Sequence, residues 1–199
     1  MSNFSFIQAD ITNGEELEKR IKGNISNLKI DSILLTPAYN SHRLLKDTAY
    51  DEIKTAIDRK AIGFINLVKS VLNHLNSGAS VVFIGSVHSL STKDNSCVSY
   101  SAANGAVISS VINLAIEFKH LYRFNVISPG GFVTENYKNT YLDWKDKLRK
   151  KTAFPIDSII NTIEFLFSDM SYGISAQNII VDGGRSVMRC SAADWELKV

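Results

Sequence analysis

Cysteine is scarce in this sequence, and neither sign of charge dominates. The 199 residues contain two cysteines, Cys97 and Cys190, too few and too far apart for a disulfide framework or a zinc site. Both are therefore expected as reduced thiols. Lysine and arginine number 22 against 20 acidic residues, a net charge of +2, and this balance indicates neither a nucleic acid nor an anionic membrane as partner.

Long uncharged apolar runs are also missing. No stretch is long enough to span a bilayer, and the first residues lack the basic and apolar segments of a secretion signal. With 45% hydrophobic and 21% charged residues, the chain has a globular composition and enough length to bury one core. We expect a cytoplasmic protein with a single domain over residues 1–199, the alternative being two small domains.

Short apolar stretches alternate with helical patterns along the chain. Near-continuous runs of branched and aromatic residues are typical of strands that are covered on both faces. The predicted strands are Phe4–Ala9, Ser32–Thr36, Ser80–Gly85, Phe124–Ser128 and Asn178–Val181. Because strand and helix alternate throughout, we expect an α/β protein with a parallel sheet and right-handed crossovers.

The intervening segments have the periodicity and end signals of helices. Glu15–Lys22 follows Thr12, which with Glu15 is expected to form a capping box. Asp51–Leu75 keeps a helical spacing of apolar residues, and Ser99–Leu121 is rich in small residues on one side. Pro155–Phe167 begins with a proline, which suits a helical first turn.

Five stretches, in this order along the chain, resemble the short-chain dehydrogenase/reductase family: KIDSILLTPAY, SGASVVFIGS, SYSAANGAVISSVINLAIEF, RFNVISPGGFVTENY and GISAQNIIVDGG. The resemblance covers nearly the whole chain. It implies a Rossmann-like parallel sheet flanked by helices, here reduced to about five strands. It also implies a catalytic Ser86 and Tyr100, and NAD or NADP as cofactor, if the chain binds one. The cofactor-binding candidates that it implies are Asp10, Thr36, Pro37, Ala38, Pro129, Gly130, Val133 and Thr134.

The resemblance fails at the lysine of the family's Tyr-x-x-x-Lys motif, because Asn104 stands in its place. A tyrosine hydroxyl has a pKa near ~10 and needs a nearby cation to act as an acid or base at neutral pH. Without one, Tyr100 is expected to remain a plain phenol. Lys60 stands where relatives have an active-site asparagine, so the two residue types look exchanged, and Lys60 could restore the cation while Asn104 takes over hydrogen bonding. The alternative is that Lys60 extends into solvent.

The sequence also lacks the family's Gly-rich turn, whose amides and following helix hold the cofactor pyrophosphate. We expect Phe4–Ala9 to pair directly with Ser32–Thr36 in a shortened strand–helix–strand unit. The alternative leaves the first strand detached or paired with another chain. Asp10 matches an aspartate that contacts adenine in relatives, whereas its other interpretation is a helix cap or a solvated turn residue.

The four histidines show no metal-site spacing, and no Ser-His-Asp arrangement is visible as a motif. His88, two residues after Ser86, could line the pocket or lie in a surface loop.

Two functions remain open. One is an NAD(P)-dependent oxidoreductase of carbonyls or alcohols that uses Tyr100, Ser86 and Lys60. The other, which the two departures favour, is a family member with impaired or absent redox activity that binds a small molecule or assembles with a partner. Association is expected as a homo-oligomer through residues 51–75 and 99–121, or with a hetero-partner, and the tail with Val187, Met188 and Trp195 is expected to dock on a neighbour or on its own subunit.

Overall fold

A four-stranded parallel sheet forms the centre of the molecule. The computed structural model describes residues 5–25, 27–37, 39, 43–90, 97–140, 153–184 and 186. The strands are β1 (Ile30–Leu35), β2 (Leu75–Ile84), β3 (Arg123–Pro129) and β6 (Asn178–Val181), in the order β1-β2-β3-β6. Two short strands, β4 (Phe132–Val133) and β5 (Phe154–Pro155), pair separately. The predicted α/β class with a parallel sheet is confirmed.

Helices connect the strands and cover the sheet. They are α1 (Gly14–Ile25), α2 (Tyr50–Ile57), α3 (Gly63–Val71), α4 (Val98–Glu117), α5 (Glu135–Thr140) and α6 (Asp157–Phe167). A π-helical segment, Asp58–Ile62, joins α2 to α3 without a break. Within the described part of the chain, no helix is both long and apolar enough to cross a bilayer.

The core lies against the two central strands. Val82, Phe83, Phe124 and Ile127 are fully buried, as expected for apolar runs without alternation. One face of the sheet packs on α3 through Phe64 and Val68, and on α4 through Val107 and Val111. The other face packs on α6 through Ile159 and Leu166. Helices therefore cover both faces of the two central strands.

The predicted first strand is wrong. Residues 5–10 have no regular structure, and β1 pairs only with β2 among the described strands, so residues 5–9 of the predicted strand do not pair with Ser32–Thr36. Phe4 lies outside the described residues. Ile7 and Ala9 instead pack against the cluster that contains Leu17. The physical reason is a competing contact: the Asn66 amide Nδ2 donates to the backbone oxygens of Ile11 and Thr12 and fixes the segment on α3.

The start of α1 also differs from the predicted capping box. Asn13 caps the helix, because its Oδ1 accepts a hydrogen bond from the Glu16 backbone N–H at 3.2 Å. Thr12 is already engaged, since its backbone N–H and its hydroxyl both donate to Asp10 Oδ1, at 2.9 and 2.8 Å. An asparagine at this position satisfies an otherwise unpaired helix amide as well as a threonine does. The Thr12 and Glu15 interpretation therefore fails in detail, although the helix exists.

Candidate functional site

The candidate site lies at the carboxyl end of β2, where parallel α/β sheets bind their ligands. Ser86 follows the strand and is 7% exposed. The Gly85 backbone N–H donates to the Ile127 carbonyl at 2.8 Å, which holds the end of β2 against β3. A single 3₁₀ turn, Val87–Ser89, follows at once and directs the chain back over Ser86.

Lys60 lies inside the molecule, within the π-helical segment. Its side chain is 2% exposed, and its Nζ donates a hydrogen bond to Asn104 Oδ1 at 2.9 Å. The ammonium also lies over two aromatic rings, 4.9 Å from the Tyr100 centroid and 5.3 Å from the Phe83 centroid. The solvent-directed alternative for Lys60 is therefore wrong. π-helical segments are frequent at functional sites.

Asn104 joins this lysine to the tyrosine helix. It is 1% exposed, and while its Oδ1 accepts from Lys60, its Nδ2 donates to the Tyr100 backbone oxygen at 2.8 Å. The Asn104 amide thus forms hydrogen bonds with both the Lys60 ammonium and the Tyr100 carbonyl group in a buried site. The structure brings together the two residue types that look exchanged in the sequence, although their catalytic roles stay predictions.

Burial changes the proton affinity of Lys60. Removing the ammonium from water disfavours its charged form, and this lowers the pKa of Lys60 from its ordinary value of 10.5 to about 8. A hydrogen bond from a neutral amide and two aromatic faces offset part of that desolvation. Lys60 therefore carries its charge at neutral pH and loses it at moderately alkaline pH.

His88 is half-buried in the 3₁₀ turn and contacts two candidate site residues, while its pocket-lining role stays a prediction. Its Nδ1 lies 3.1 Å from Ser86 Oγ, its backbone N–H donates to the same oxygen at 3.2 Å, and its ring meets the Tyr100 ring edge-on at 5.6 Å. The sequence assigns no role to Phe83, because the run Val81–Ile84 around it is apolar and gives no signal that one ring faces a cation.

The residues that the resemblance assigns to cofactor binding fall into two regions. Pro129 ends β3 and is buried, and Gly130 fits tightly, since a Cβ there would lie 2.7 Å from Asp182 Cβ. Val133 is buried in β4, and the Thr134 carbonyl accepts from the Lys138 N–H at the start of α5. After β1, Thr36 is exposed and Pro37 half-buried, whereas Ala38 lies outside the described residues.

Asp10 stands apart from this group, in the turn before α1. It is exposed, and the hydrogen bonds from the Thr12 backbone N–H and hydroxyl hold the pKa of its carboxyl below the usual value. The charged carboxylate therefore has a local structural role. This geometry matches the turn-residue interpretation, while a contact with adenine stays a prediction.

Among the described residues, no group of three or more histidine, cysteine, aspartate or glutamate side chains is placed to hold a metal ion. Cys97 is buried just before α4, and burial raises the pKa of its thiol. Cys190 and the tail residues Val187, Met188 and Trp195 lie outside the described residues. Two surface clefts are lined by other residues, one beside Gly78 and Tyr172, the other beside Glu15 and Lys69.

Comparison with known proteins gives consistent results. The family model described as enoyl-(acyl carrier protein) reductase matches residues 2–186. A 3-oxoacyl-[acyl-carrier-protein] reductase of Staphylococcus epidermidis is 26% identical over 187 residues, which cover 89% of this chain and 76% of the relative. A probable galactose dehydrogenase of Rhizobium meliloti is 26% identical over 192 residues, 90% of this chain and 73% of the relative.

Solved structures show the same fold. A short chain dehydrogenase family protein from Francisella tularensis superimposes with a TM-score of 0.80 at 27% identity, over 94% of this chain and 86% of that one. A short chain dehydrogenase from Mycobacterium paratuberculosis, solved bound to NAD, gives a TM-score of 0.75 at 20% identity, over 90% of this chain and 73% of that one.

Proposed function

Because this chain belongs to the short-chain dehydrogenase/reductase family, we propose that it is a carbonyl or alcohol oxidoreductase with a rearranged acid–base centre. In this proposal, Tyr100 exchanges a proton with the substrate oxygen, Ser86 orients that oxygen, and Lys60 supplies the positive charge. The single observation that carries it is the position of the Lys60 ammonium, bonded to Asn104 and 4.9 Å from the Tyr100 ring centroid.

The chemistry of these residues suits proton transfer. As Tyr100 gives up its proton, negative charge develops on the phenol, and a buried cation over the ring stabilises that charge more strongly than it would in water. Asn104 holds the cation in place. Ser86 has a hydroxyl at the carboxyl end of the central strand, where a substrate oxygen can be hydrogen-bonded.

The residues fit one end of a nicotinamide cofactor, NAD or NADP. When bound, such a cofactor supplies or accepts the hydride. Four residues at the carboxyl end of β3 and just after it, at the same sheet edge as Ser86, would hold the nicotinamide end: Pro129, Gly130, Val133 and Thr134. The resemblance implies that the family's lysine also contacts the nicotinamide ribose. The Lys60 Nζ is buried and bonded to Asn104, so Lys60 would supply a charge without offering the ribose that contact. We expect weak cofactor binding.

The test is cofactor-dependent turnover of the purified chain. Oxidation of NADH and NADPH is followed with a 3-oxoacyl thioester and with a small aldehyde as substrates. The reverse reaction, reduction of NAD or NADP, is followed with galactose. Tyr100→Phe is expected to lower turnover by about 100-fold and Lys60→Met by about 10-fold, as for a lost acid and its supporting charge. Lys54→Met, a change at an exposed lysine of α2, is the matched control.

Two outcomes of this experiment are decisive. Absence of binding to NADH and NADPH at millimolar concentrations, measured by calorimetry, would contradict the oxidoreductase proposal. Turnover that is equal in wild type and Tyr100→Phe would contradict the assigned proton donor. The double substitution Lys60→Asn with Asn104→Lys restores the family's arrangement and is expected to tighten cofactor binding.

A second candidate is a redox-inactive binding or assembly subunit. The observation that favours it is the turn before α1, where Asp10 presents an exposed carboxylate and already occupies the Thr12 N–H. A carboxylate close to a bound cofactor would repel its phosphate groups instead of holding them. A chain that binds no nicotinamide cofactor but keeps its fold would support this candidate. A cytoplasmic location stays a prediction from composition.

We also propose that two copies associate through α3 and α4. Exposed isoleucines lie on these two helices and at the end of the π-helical segment before α3: Ile62 at 41%, Ile65 at 43%, Ile112 at 41% and Ile116 at 58%. Contact between such faces removes apolar surface from water. The set lies within the two segments for which association is expected from the sequence, and a hetero-partner would use the same face.

Charge placed on this face is expected to separate the copies. Ile112→Glu with Ile116→Glu should convert a dimer or tetramer into a monomer, because association would bury unpaired carboxylates. Light scattering after size-exclusion chromatography measures the mass. Ile160→Glu on α6, at 40% exposure, is the matched control and should leave the mass unchanged. A wild-type monomer across micromolar concentrations would refute self-association.

A further inference from the structure

A serine hydroxyl and an imidazole lie within hydrogen-bonding distance at the carboxyl end of β2. Ser86 Oγ is 3.1 Å from His88 Nδ1, and the same oxygen accepts a hydrogen bond from the His88 backbone N–H. The 3₁₀ turn Val87–Ser89 brings the ring back onto the serine. The proposed hydride transfer uses the Ser86 hydroxyl only to orient a substrate oxygen and gives His88 no role.

We propose that Ser86 and His88 form a nucleophile–base pair that transfers an acyl group from a small activated ester or thioester to water. The Ser86 Oγ forms a bond to the acyl carbon, and the bond from that carbon to the leaving oxygen or sulfur breaks. His88 Nδ1 takes the proton from Oγ and passes it to the leaving group. Water then attacks the acyl-serine with His88 as base, which releases the acid and restores the Ser86 hydroxyl.

Both partners of Ser86 act in the direction that this chemistry needs. With the imidazole protonated on Nε2, Nδ1 accepts the Ser86 proton and serves as the base. The His88 backbone N–H donates to Oγ and so stabilises negative charge as it develops on that oxygen. The two contacts therefore polarise the same O–H bond, and this is the arrangement that turns a weak hydroxyl nucleophile into a reactive one.

The surroundings keep the pair in place. The Tyr100 ring meets the imidazole edge-on at 5.6 Å and restricts its rotation. Ser86 is 7% exposed, so little water competes for its hydroxyl. The Lys60 ammonium lies 4.9 Å from the centroid of the same tyrosine ring, which brings a buried positive charge to the group of residues around the pair.

The other role that these contacts could have is structural. A serine that accepts from the amide two residues later caps a turn without any chemistry. In that case the imidazole contact would follow from the turn geometry alone, and Ser86 would show no reactivity beyond that of other buried serines. Ser70 provides the comparison, because it is 8% exposed and its Oγ donates to the Leu67 carbonyl.

The experiment measures hydrolysis of p-nitrophenyl acetate by the full chain with no nicotinamide cofactor present. We expect a burst of p-nitrophenol and an acetyl group on the peptide that contains Ser86, found by mass spectrometry after acid quenching. Ser86→Ala and His88→Gln should each lower the hydrolysis rate by about 10-fold or more. Ser70→Ala and His74→Gln are the matched controls and should leave the rate unchanged.

Because no cofactor is added, this result is independent of the oxidoreductase proposal, and either proposal can fail alone. An acetyl group found only on other residues would overturn the acyl-transfer proposal. So would a hydrolysis rate that is the same in wild type, Ser86→Ala and His88→Gln. The peptide map of the wild type decides the matter even where a variant does not fold.

Discussion

Replacing Asn104 with lysine is expected to destabilise the protein by about 3–5 kcal/mol, the cost typical of an uncompensated buried charge. Asn104 is 1% exposed, and its Oδ1 lies 2.9 Å from the Lys60 ammonium. The substitution restores the family's motif, yet here it places a second ammonium against the first and removes the acceptor that Lys60 needs. Urea unfolding at pH 7 measures the loss in the free energy of unfolding.

The same substitution should be tolerated once Lys60 is changed to asparagine. In Lys60→Asn with Asn104→Lys, one cation and one amide are again present, so we expect most of the lost stability to return. A double-mutant cycle then gives a favourable interaction energy between the two positions. Asn113→Lys, an exposed change on the same helix, should shift stability by only about 0.5 kcal/mol. Equal stability of Asn104→Lys and wild type would show that Lys60 is not held there.

Raising the pH is expected to stabilise the wild type relative to Lys60→Met. The pKa of Lys60 is lowered to about 8 in the folded protein, against an ordinary 10.5, because burial disfavours the ammonium. Between these values the unfolded chain binds more protons than the folded one, so the free energy of unfolding rises with pH. Below pH 8 the lysine is charged in both states and the folded protein carries the full desolvation cost.

The quantity to measure is the difference in the free energy of unfolding between wild type and Lys60→Met. Between pH 7 and pH 10.5 this difference should shift by about 3 kcal/mol in favour of the wild type, which is the free energy that corresponds to the lowered pKa. Urea unfolding at four pH values measures it, and groups common to both proteins cancel. Lys54→Met should follow the wild type throughout. A difference that does not vary with pH would mean that Lys60 titrates as an ordinary surface lysine.

The two experiments also bear on function. If Lys60 provides the charge that supports Tyr100, turnover should decline as the pH rises through about 8, while the folded state becomes more stable. Activity and stability would then change in opposite directions over the same pH range. This divergence is specific to a buried cation that is used in the reaction, since a purely structural lysine would alter stability alone.

Much of the fold could be predicted because its signals are local. The runs at Ser80–Gly85 and Phe124–Ser128 are apolar without alternation, and each became a buried central strand. The prediction failed at Phe4–Ala9, whose composition suits a strand equally well. A strand needs a partner as well as a propensity, and the contacts of Asn66 with the backbone of Ile11 and Thr12 hold that segment on α3.

The candidate site could be predicted in part. Ser86 and Tyr100 are visible from their motifs, and the meeting of Lys60 with Asn104 follows as a hypothesis from their apparent exchange. The contact of His88 with Ser86 and the aromatic faces around Lys60 could not be foreseen. They depend on a 3₁₀ turn and on the orientation of the Phe83 and Tyr100 rings, which no periodicity encodes.

The sequence by itself determined the class of the protein, the four strands of its central sheet, and the family to which it belongs. These depend on apolar periodicity and on short motifs, each of which is contained in neighbouring residues. The tertiary structure alone decided that Lys60 is buried and that its ammonium donates a hydrogen bond to Asn104, forty-four positions away. It also decided that residues 5–10 do not pair with β1. Such outcomes arise from competition between contacts of distant segments, and only the packed molecule settles which contact forms.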